Sequence, residues 1–294
     1  MIHVSSRCCL CVLNKRRLRP LAAGMSDDAD NRDSLVDDAE LETAREIFYD
    51  LFKHLSLSDA IELSGEGTAE LDLYRAGYTY GETSLQSILR LLRAASPHSY
   101  PGGASIVDLG SGIGNVVVGT ALLAAAALVH ASSVRGVELL PPLHRTASSV
   151  LDAMKRKFRD ADAAGCSLLA MALPECALRC ADLADADVSD ADIVYLCSTA
   201  FPPELVQRWA VHAAPQLRSG SRVVTLSRPL RHERFELERI ELSCGLSWGN
   251  EHAYVSRKLS SAWERGGGRL LTKGAAPDGR RTEWTFVGQV AAPA

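Results

Sequence analysis

The run Val107-Asp108-Leu109-Gly110-Ser111-Gly112-Ile113-Gly114-Asn115 constrains this chain more than any other segment. An apolar stretch short enough to be a buried strand, Ala104 to Leu109, ends in an acid and three glycines at alternate positions. A second apolar run, Val116 to Val129, follows at once. A strand that turns through glycines straight into a helix is the opening unit of a parallel α/β sheet. Glycines let the backbone take positive φ and pass close to a ligand, and a helix start offers N–H groups that have no intrahelical partner.

The apolar pattern downstream repeats that unit. Helical spacing is expected over Ser87 to Leu92, Val116 to Val129, Pro142 to Phe158 and Pro203 to Ala214. Strands are expected at Val134 to Leu139, Leu178 to Leu183, Ile193 to Cys197 and Val223 to Ser227. Strands separated by helices of this length need right-handed crossovers, so the expected fold is a Rossmann-like α/β sheet with helices on both faces. Arg239 to Trp248 and His252 to Leu259, joined by Gly249-Asn250, read as a C-terminal antiparallel hairpin. Residues 264–281 read as a loose linker before a last strand from Trp284 to Val290.

Ahead of the sheet, Leu41, Ala44, Ile47, Phe48, Leu51 and Phe52 recur at helical spacing within Ala39 to Leu55. The expected organisation is therefore an N-terminal arm over 1–38, a helical cap over 39–64, the main domain over 65–260 and an extension over 261–294. The arm carries Arg7, Lys15, Arg16, Arg17 and Arg19 without an acid before residue 25, then turns acidic from Asp27 onward, and is expected to be disordered. An organelle transit peptide, a basic arm and an upstream-extended reading frame starting before Met25 are equal readings of it.

Composition closes several other doors. The Val116 to Val129 run is shorter than the about 20 residues of a bilayer span and rich in alanine, which predicts a buried helix and no membrane span. A net charge of −4 is not the basic balance of a protein that holds nucleic acid by bulk electrostatics, so weak DNA contact at most is expected. The eight cysteines suggest no disulfide framework in a chain of 294 residues. Cys8-Cys9-x-Cys11 has no second pair at finger-like spacing, so no metal is expected.

Two cofactor chemistries use a glycine turn of this kind. A dinucleotide fingerprint reads G-x-G-x-x-G and sets a pyrophosphate on the helix N-terminus. Here the glycines fall as G-x-G-x-G, with Asp108 two residues before the first. A carboxylate there repels a pyrophosphate but accepts hydrogen bonds from an ammonium group, which favours the methionine moiety of S-adenosylmethionine over NAD. Glu138, closing the second strand, can hold both ribose hydroxyls. Asp182, placed at the end of the third, can accept from the adenine amino group while Leu183 covers the ring. The competing readings are a solvated strand-end acid for Glu138 and, for Asp182, a solvated acidic loop with Asp185 and Asp187.

Tyr80-Gly81-Glu82-Thr83-Ser84 precedes the glycine turn by some 25 residues. Together with that turn, Gly136-Val137-Glu138, Ala181-Asp182-Leu183, Ala200-Phe201-Pro202-Pro203-Glu204, Ser221-Arg222-Val223-Val224 and Glu241-Leu242-Ser243 before Ser247-Trp248, it resembles the disruptor-of-telomeric-silencing family. These are the non-SET histone lysine methyltransferases acting on the globular core of histone H3, and the likeness spans about residues 74 to 258. The resemblance implies S-adenosylmethionine as cofactor, S-adenosylhomocysteine as product, histone H3 in nucleosomes as partner, a monomer and a nuclear location, with the Arg-rich start leaving organelle or cytoplasm open. It places Tyr80, Gly81, Glu82 and Thr83 in a loop closing over the cofactor, and Asp108, Gly110, Gly112, Gly114, Asn115, Glu138, Asp182, Leu183 and Cys197 in the pocket. Phe201, Trp248 and Tyr254 would lie near the lysine channel, with core packing as their alternative.

The sequence departs from the family at two places. Where the family carries a pair of asparagines after the fourth strand, this chain has Cys197 and Ser198, and serine is a shorter donor and acceptor than an amide. The family's basic tail has no counterpart in 259–294. A methyltransferase for a non-histone protein or a small molecule is thus the competing function, and a non-catalytic binding module the third.

Overall fold

The computed structural model describes residues 29–71, 81–96, 100–199, 201–247, 249–260, 269–275 and 282–289. Three helices come first: α1 (Ala29–Phe52), α2 (Leu57–Glu70) and α3 (Leu85–Ala95). Then follow β1 (Ala104–Leu109), α4 (Asn115–Ala125), β2 (Ala131–Glu138), α5 (Pro141–Ala163), β3 (Glu175–Cys180), β4 (Ile193–Leu196), α6 (Pro203–Ala213), β5 (Arg222–Leu226), β6 (Phe235–Leu246) and β7 (Gly249–Lys258). The seven strands run in the order β3-β2-β1-β4-β5-β7-β6. Neighbours from β3 to β5 are parallel and β7 is antiparallel to both β5 and β6. This is the expected Rossmann-like α/β sheet with its antiparallel terminal hairpin. The chain leaves β1 for β2 on one side and later fills β4 on the other, so a crevice opens at the C-terminal ends of β1 and β4.

Period-two alternation divides the core. Ile106, Val134, Ile193, Val224 and Val255 face α1, α3, α4 and α5, while Val107, Leu109, Val194, Leu196 and Val223 face α6 through Trp209, Ala210 and Ala213. All of α4 is buried, as its unbroken run of small and branched apolar residues requires. Among the described residues no helix is long and apolar enough to cross a membrane. The hairpin is tied to β5 by the Arg222 guanidinium, which donates to Glu238 at 3.1 Å, and Arg257 donates to Glu236 at 2.7 Å.

Several expectations need correction. Helix α1 begins at Ala29, ten residues before the expected Ala39, so part of the presumed arm is helical; residues 1–28 lie outside the described residues. Helix α2 runs past residue 64, where the helical cap was expected to end. A reciprocal capping box between Ser56 and Asp59 starts it, and Gly67 is needed where the helix meets α5, since a Cβ there would stand 2.8 Å from the Leu140 Cβ. Strand β3 lies three residues earlier than its apolar pattern suggested, because β2 offers partners only from Ser133 to Glu138. Gly249 and Asn250 are not the hairpin turn but already pair within β7, with Leu246 and Gly245. Within the supposed linker, β8 (Arg269–Ala275) pairs with β9 (Thr282–Gln289) as a separate two-stranded sheet. Cys166 is disulfide-bonded, whereas Cys176, Cys180 and Cys197 are free.

Candidate active site

The glycine turn carries the left-handed conformations that its composition called for: φ is +79° at Gly110, +55° at Gly112 and +91° at Gly114. The amides of Gly110 and Ser111 both donate to the Val137 carbonyl, at 2.8 and 3.0 Å, which folds the turn back over the end of β2. Gly136 makes room for that approach, because a Cβ on it would lie 2.9 Å from the Ser111 Cβ and 2.6 Å from Leu178. Gly114 then caps α4.

Asp108 stands in the sheet between Gly136 of β2 and Tyr195 of β4. It is 1% exposed, and its Oδ2 has no hydrogen-bond partner among the described residues. Burial, and next the nearby Glu138 carboxylate, push its pKa well above the ordinary carboxylate range. Glu138 is also buried and raised by desolvation, but it is opposed by backbone donors: Gly112 N–H reaches Oε2 at 2.8 Å and Leu140 N–H reaches Oε1 at 2.9 Å. The Leu139 N–H acts in the same direction, and the roughly four lone-pair sites of a carboxylate still exceed these backbone donors. A buried carboxylate oxygen without a partner, beside a glycine cradle and backbone-oriented Glu138, fits a ligand that brings a cationic donor and hydroxyls.

Both acids line a cleft of about 850 Å³. Of the expected cofactor residues, Gly81, Thr83, Gly110, Gly112, Asn115, Asp182, Leu183 and Cys197 also line it. Asp182 does so from a different position than expected. Beyond the end of β3 at Cys180 it caps the short 3-10 turn Leu183–Asp185, accepting from Ala184 N–H at 2.9 Å, and Leu183 beside it is buried.

The loop from Gly81 to Ser84 is clipped down at three points. The Thr83 hydroxyl pairs with the Tyr195 hydroxyl at 2.8 Å, next to Asp108 in the sheet. Glu82 N–H donates to Ser247 Oγ at 3.0 Å, and Ser247 N–H donates back to the Glu82 carbonyl at 2.9 Å. Ser84 caps α3 by accepting from Ser87 N–H at 3.2 Å. Two segments 165 residues apart, each singled out in the sequence, thus meet at the cleft rim.

Other expected residues are not brought together. Ser198 is turned away: it is 1% exposed and its hydroxyl donates to the Leu226 carbonyl at 2.7 Å, so it serves the junction of β4 and β5 and not the cleft. Tyr254 sits in β7 opposite Thr225 and Ile240 and is not in the cleft wall; neither is Glu82, whose backbone makes the clip. Tyr80 and Trp248 lie outside the described residues. Phe201 lines the cleft, and its ring lies over the turn so closely that a Cβ on Gly110 would meet its Cζ at 2.7 Å. The Cys197 thiol is pushed up to about 12, first by burial and then by Asp108.

The sequence reading missed Ser64, Tyr195, Arg208 and Arg228 in the cleft wall, and it gave Ser247, at the rim, no role. Only Ser64 had a local signal, the Ser56-x-x-Asp59 box that starts its helix. Among the described residues no group of three His, Cys, Asp or Glu side chains could hold a metal ion.

Residues 67–270 match the family model described as Histone methylation protein DOT1. A search of curated proteins found no match. Among solved structures, an RNA methyltransferase from Salinibacter ruber in complex with S-adenosyl-L-homocysteine is similar, at 23% identity and a TM-score of 0.41, over 61% of this chain and 95% of that one. Magnesium protoporphyrin IX methyltransferase from Synechocystis PCC 6803 with bound S-adenosylmethionine is 15% identical with a TM-score of 0.41, over 81% of this chain and 100% of that one.

Proposed function

Because this chain belongs to the histone methylation protein DOT1 family, we propose that it methylates a lysine of the histone H3 core within nucleosomes. It is an S-adenosylmethionine-dependent methyltransferase, and the finer assignment to histone H3, to chromatin and to the nucleus is our reading. The observation that carries the cofactor side is Asp108: a fully buried carboxylate whose Oδ2 lacks a partner among the described residues, at the mouth of a glycine turn.

When bound, the cofactor supplies an electrophilic methyl on a sulfonium and leaves as S-adenosylhomocysteine. Asp108 receives the ammonium of its methionine end, Glu138 the ribose hydroxyls with the lone pairs left by Gly112 and Leu140, and Asp182 with Leu183 the adenine. The Thr83–Tyr195 and Glu82–Ser247 clips hold the loop against the cleft and exclude water. Lysine must be neutral to attack, and its reference pKa is about 10.4, so a desolvated channel and neighbouring positive charge must lower it. Phe201 supplies an apolar wall for that channel. Alignment for in-line transfer then does most of the work, and no dedicated base is needed.

One observation favours another acceptor. Cys197 stands in the cleft where the family carries an amide, its thiol is protonated at neutral pH, and Ser198 is committed to Leu226, so neither replaces the amide. The experiment is methyl transfer from radiolabelled S-adenosylmethionine to nucleosomes and to free histones, by wild type and Glu138→Gln. Label on histone H3 in nucleosomes, lost in the variant, is the expected result. Cofactor binding by calorimetry without any histone label would transfer the function to a non-histone protein or a small molecule.

A further inference from the structure

The cleft is divided by charge. The acids Asp108, Glu138 and Asp182 stand at the ends of β1 and β2 and just beyond β3, while two arginines, Arg208 of α6 and Arg228 just after β5, line the other half. Neither guanidinium forms a hydrogen bond or ion pair with any described residue, and both residues are exposed. Glu204 is the one acid in that half. It stands one helical turn before Arg208, the spacing at which a helix pair meets, yet no ion pair forms.

The backbone that presents Arg228 is firmly built. Ser227 has a φ of +62°, a left-handed conformation that a residue with a Cβ adopts only under constraint, and its hydroxyl pairs with that of Thr199 at 2.7 Å. Arg228 donates its N–H to the Leu226 carbonyl at 2.7 Å and accepts from the Thr225 hydroxyl at 2.7 Å. The main chain is held while the side chain is left to bind something else. A guanidinium offers a planar fork that matches a carboxylate, and a second one nearby disfavours the ammonium form of an incoming amine.

We propose that Arg208 and Arg228 select an acceptor segment carrying a carboxylate beside the residue that receives the methyl group. This rests on the methyltransferase reading of the same cleft. The pair is set in a concave wall beside the cofactor residues and not on a broad basic face, which favours an acidic protein segment over DNA phosphates.

The test begins by mapping the methylated residue on nucleosomes by mass spectrometry with the wild-type enzyme. Acids within two positions of it are changed to amides, and both substrates are assayed with wild type and with R208Q/R228Q. The expected result is a loss of about tenfold in kcat/KM when wild type meets the amide substrate, and little further loss in the variant, because the two changes remove the same contact. Calorimetric affinity for S-adenosylhomocysteine stays unchanged in the variant. Losses that simply multiply would overturn the proposal, as would a mapped residue without an acidic neighbour. A variant that instead only lowers the slope of activity against salt would assign the arginines to DNA phosphates and sink the idea. If nucleosomes take no label, the histone reading fails on its own. The same mapping on proteins labelled in a cell extract then decides: acids beside the acceptors, with label lost in R208Q/R228Q, support the proposal, and acceptors without them refute it.

Discussion

Replacing Asp108 by asparagine keeps the shape of the side chain and removes its charge, which separates what the site does for the cofactor from what it costs the empty protein. In the cofactor complex Asp108 is assigned a charge-assisted hydrogen bond from an ammonium group, worth about 1.5–3 kcal/mol, so Asp108→Asn is expected to weaken S-adenosylmethionine binding about 10- to 150-fold. The wild type should also show a pH dependence that the variant lacks. The folded pKa of Asp108 is raised well above the ordinary value by burial and by Glu138. A cation that binds the ionised form must therefore displace a proton, and affinity rises by up to about tenfold per pH unit until the raised pKa is passed.

Stability runs the other way. A carboxyl whose folded pKa is raised holds its proton more tightly in the folded chain than in the unfolded one. Its contribution is full below the ordinary carboxylate range and lost as the pH climbs through the raised value. Thermal unfolding of the empty wild type should therefore soften over that climb. Asp108→Asn should flatten it in part, since Glu138 is raised too and keeps its own share. Calorimetric titration with S-adenosylmethionine and thermal unfolding across a pH series measure both. An Asp108→Asn protein with wild-type cofactor affinity and an unaltered pH slope would refute the assignment of Asp108 and its coupling to Glu138.

Tyr195→Phe removes the buried partner of Thr83 Oγ1, at a cost of about 0.5–1.5 kcal/mol, and should speed hydrogen exchange at Gly81–Ser84 and raise KM for the cofactor severalfold while kcat holds. Exchange unchanged in that loop would show that the clip does not hold it. Cys197, with its thiol pushed up to about 12, is a neutral thiol in the native protein, so iodoacetamide at neutral pH should leave it unmodified until the chain is unfolded. Rapid native alkylation of Cys197 would contradict a thiol held neutral beside Asp108 in the half-buried cleft wall.

The succession of strands and helices along the chain and the residues of the glycine turn were legible because both are local. Asp108, Gly110, Gly112 and Gly114 are set by a strand, three positive-φ positions and a helix start within a short stretch, and β1 came out with the bounds its apolar run suggested. Strand β3 was misplaced because it is an edge strand with an alternately exposed surface, so its own composition said little and its register was dictated by β2. Ser198 was mistaken for a cleft residue for a related reason. After β4 the chain bends, and which of two consecutive side chains faces the ligand depends on the Leu226 carbonyl that claims one of them.

What the sequence determined by itself was the alternation that yields a parallel sheet, the turn that needs glycine at each positive φ, and the acids Asp108 and Glu138 at the ends of β1 and β2, since each rests on neighbours along the chain. Tertiary structure alone decided that Tyr195 holds Thr83, that Ser247 of the hairpin turn holds Glu82, and that Arg208 and Arg228 line the same cleft as Asp108. These are contacts between side chains that lie far apart along the chain. Their distances depend on strand order, crossover and register, which long-range packing selects and no local pattern records.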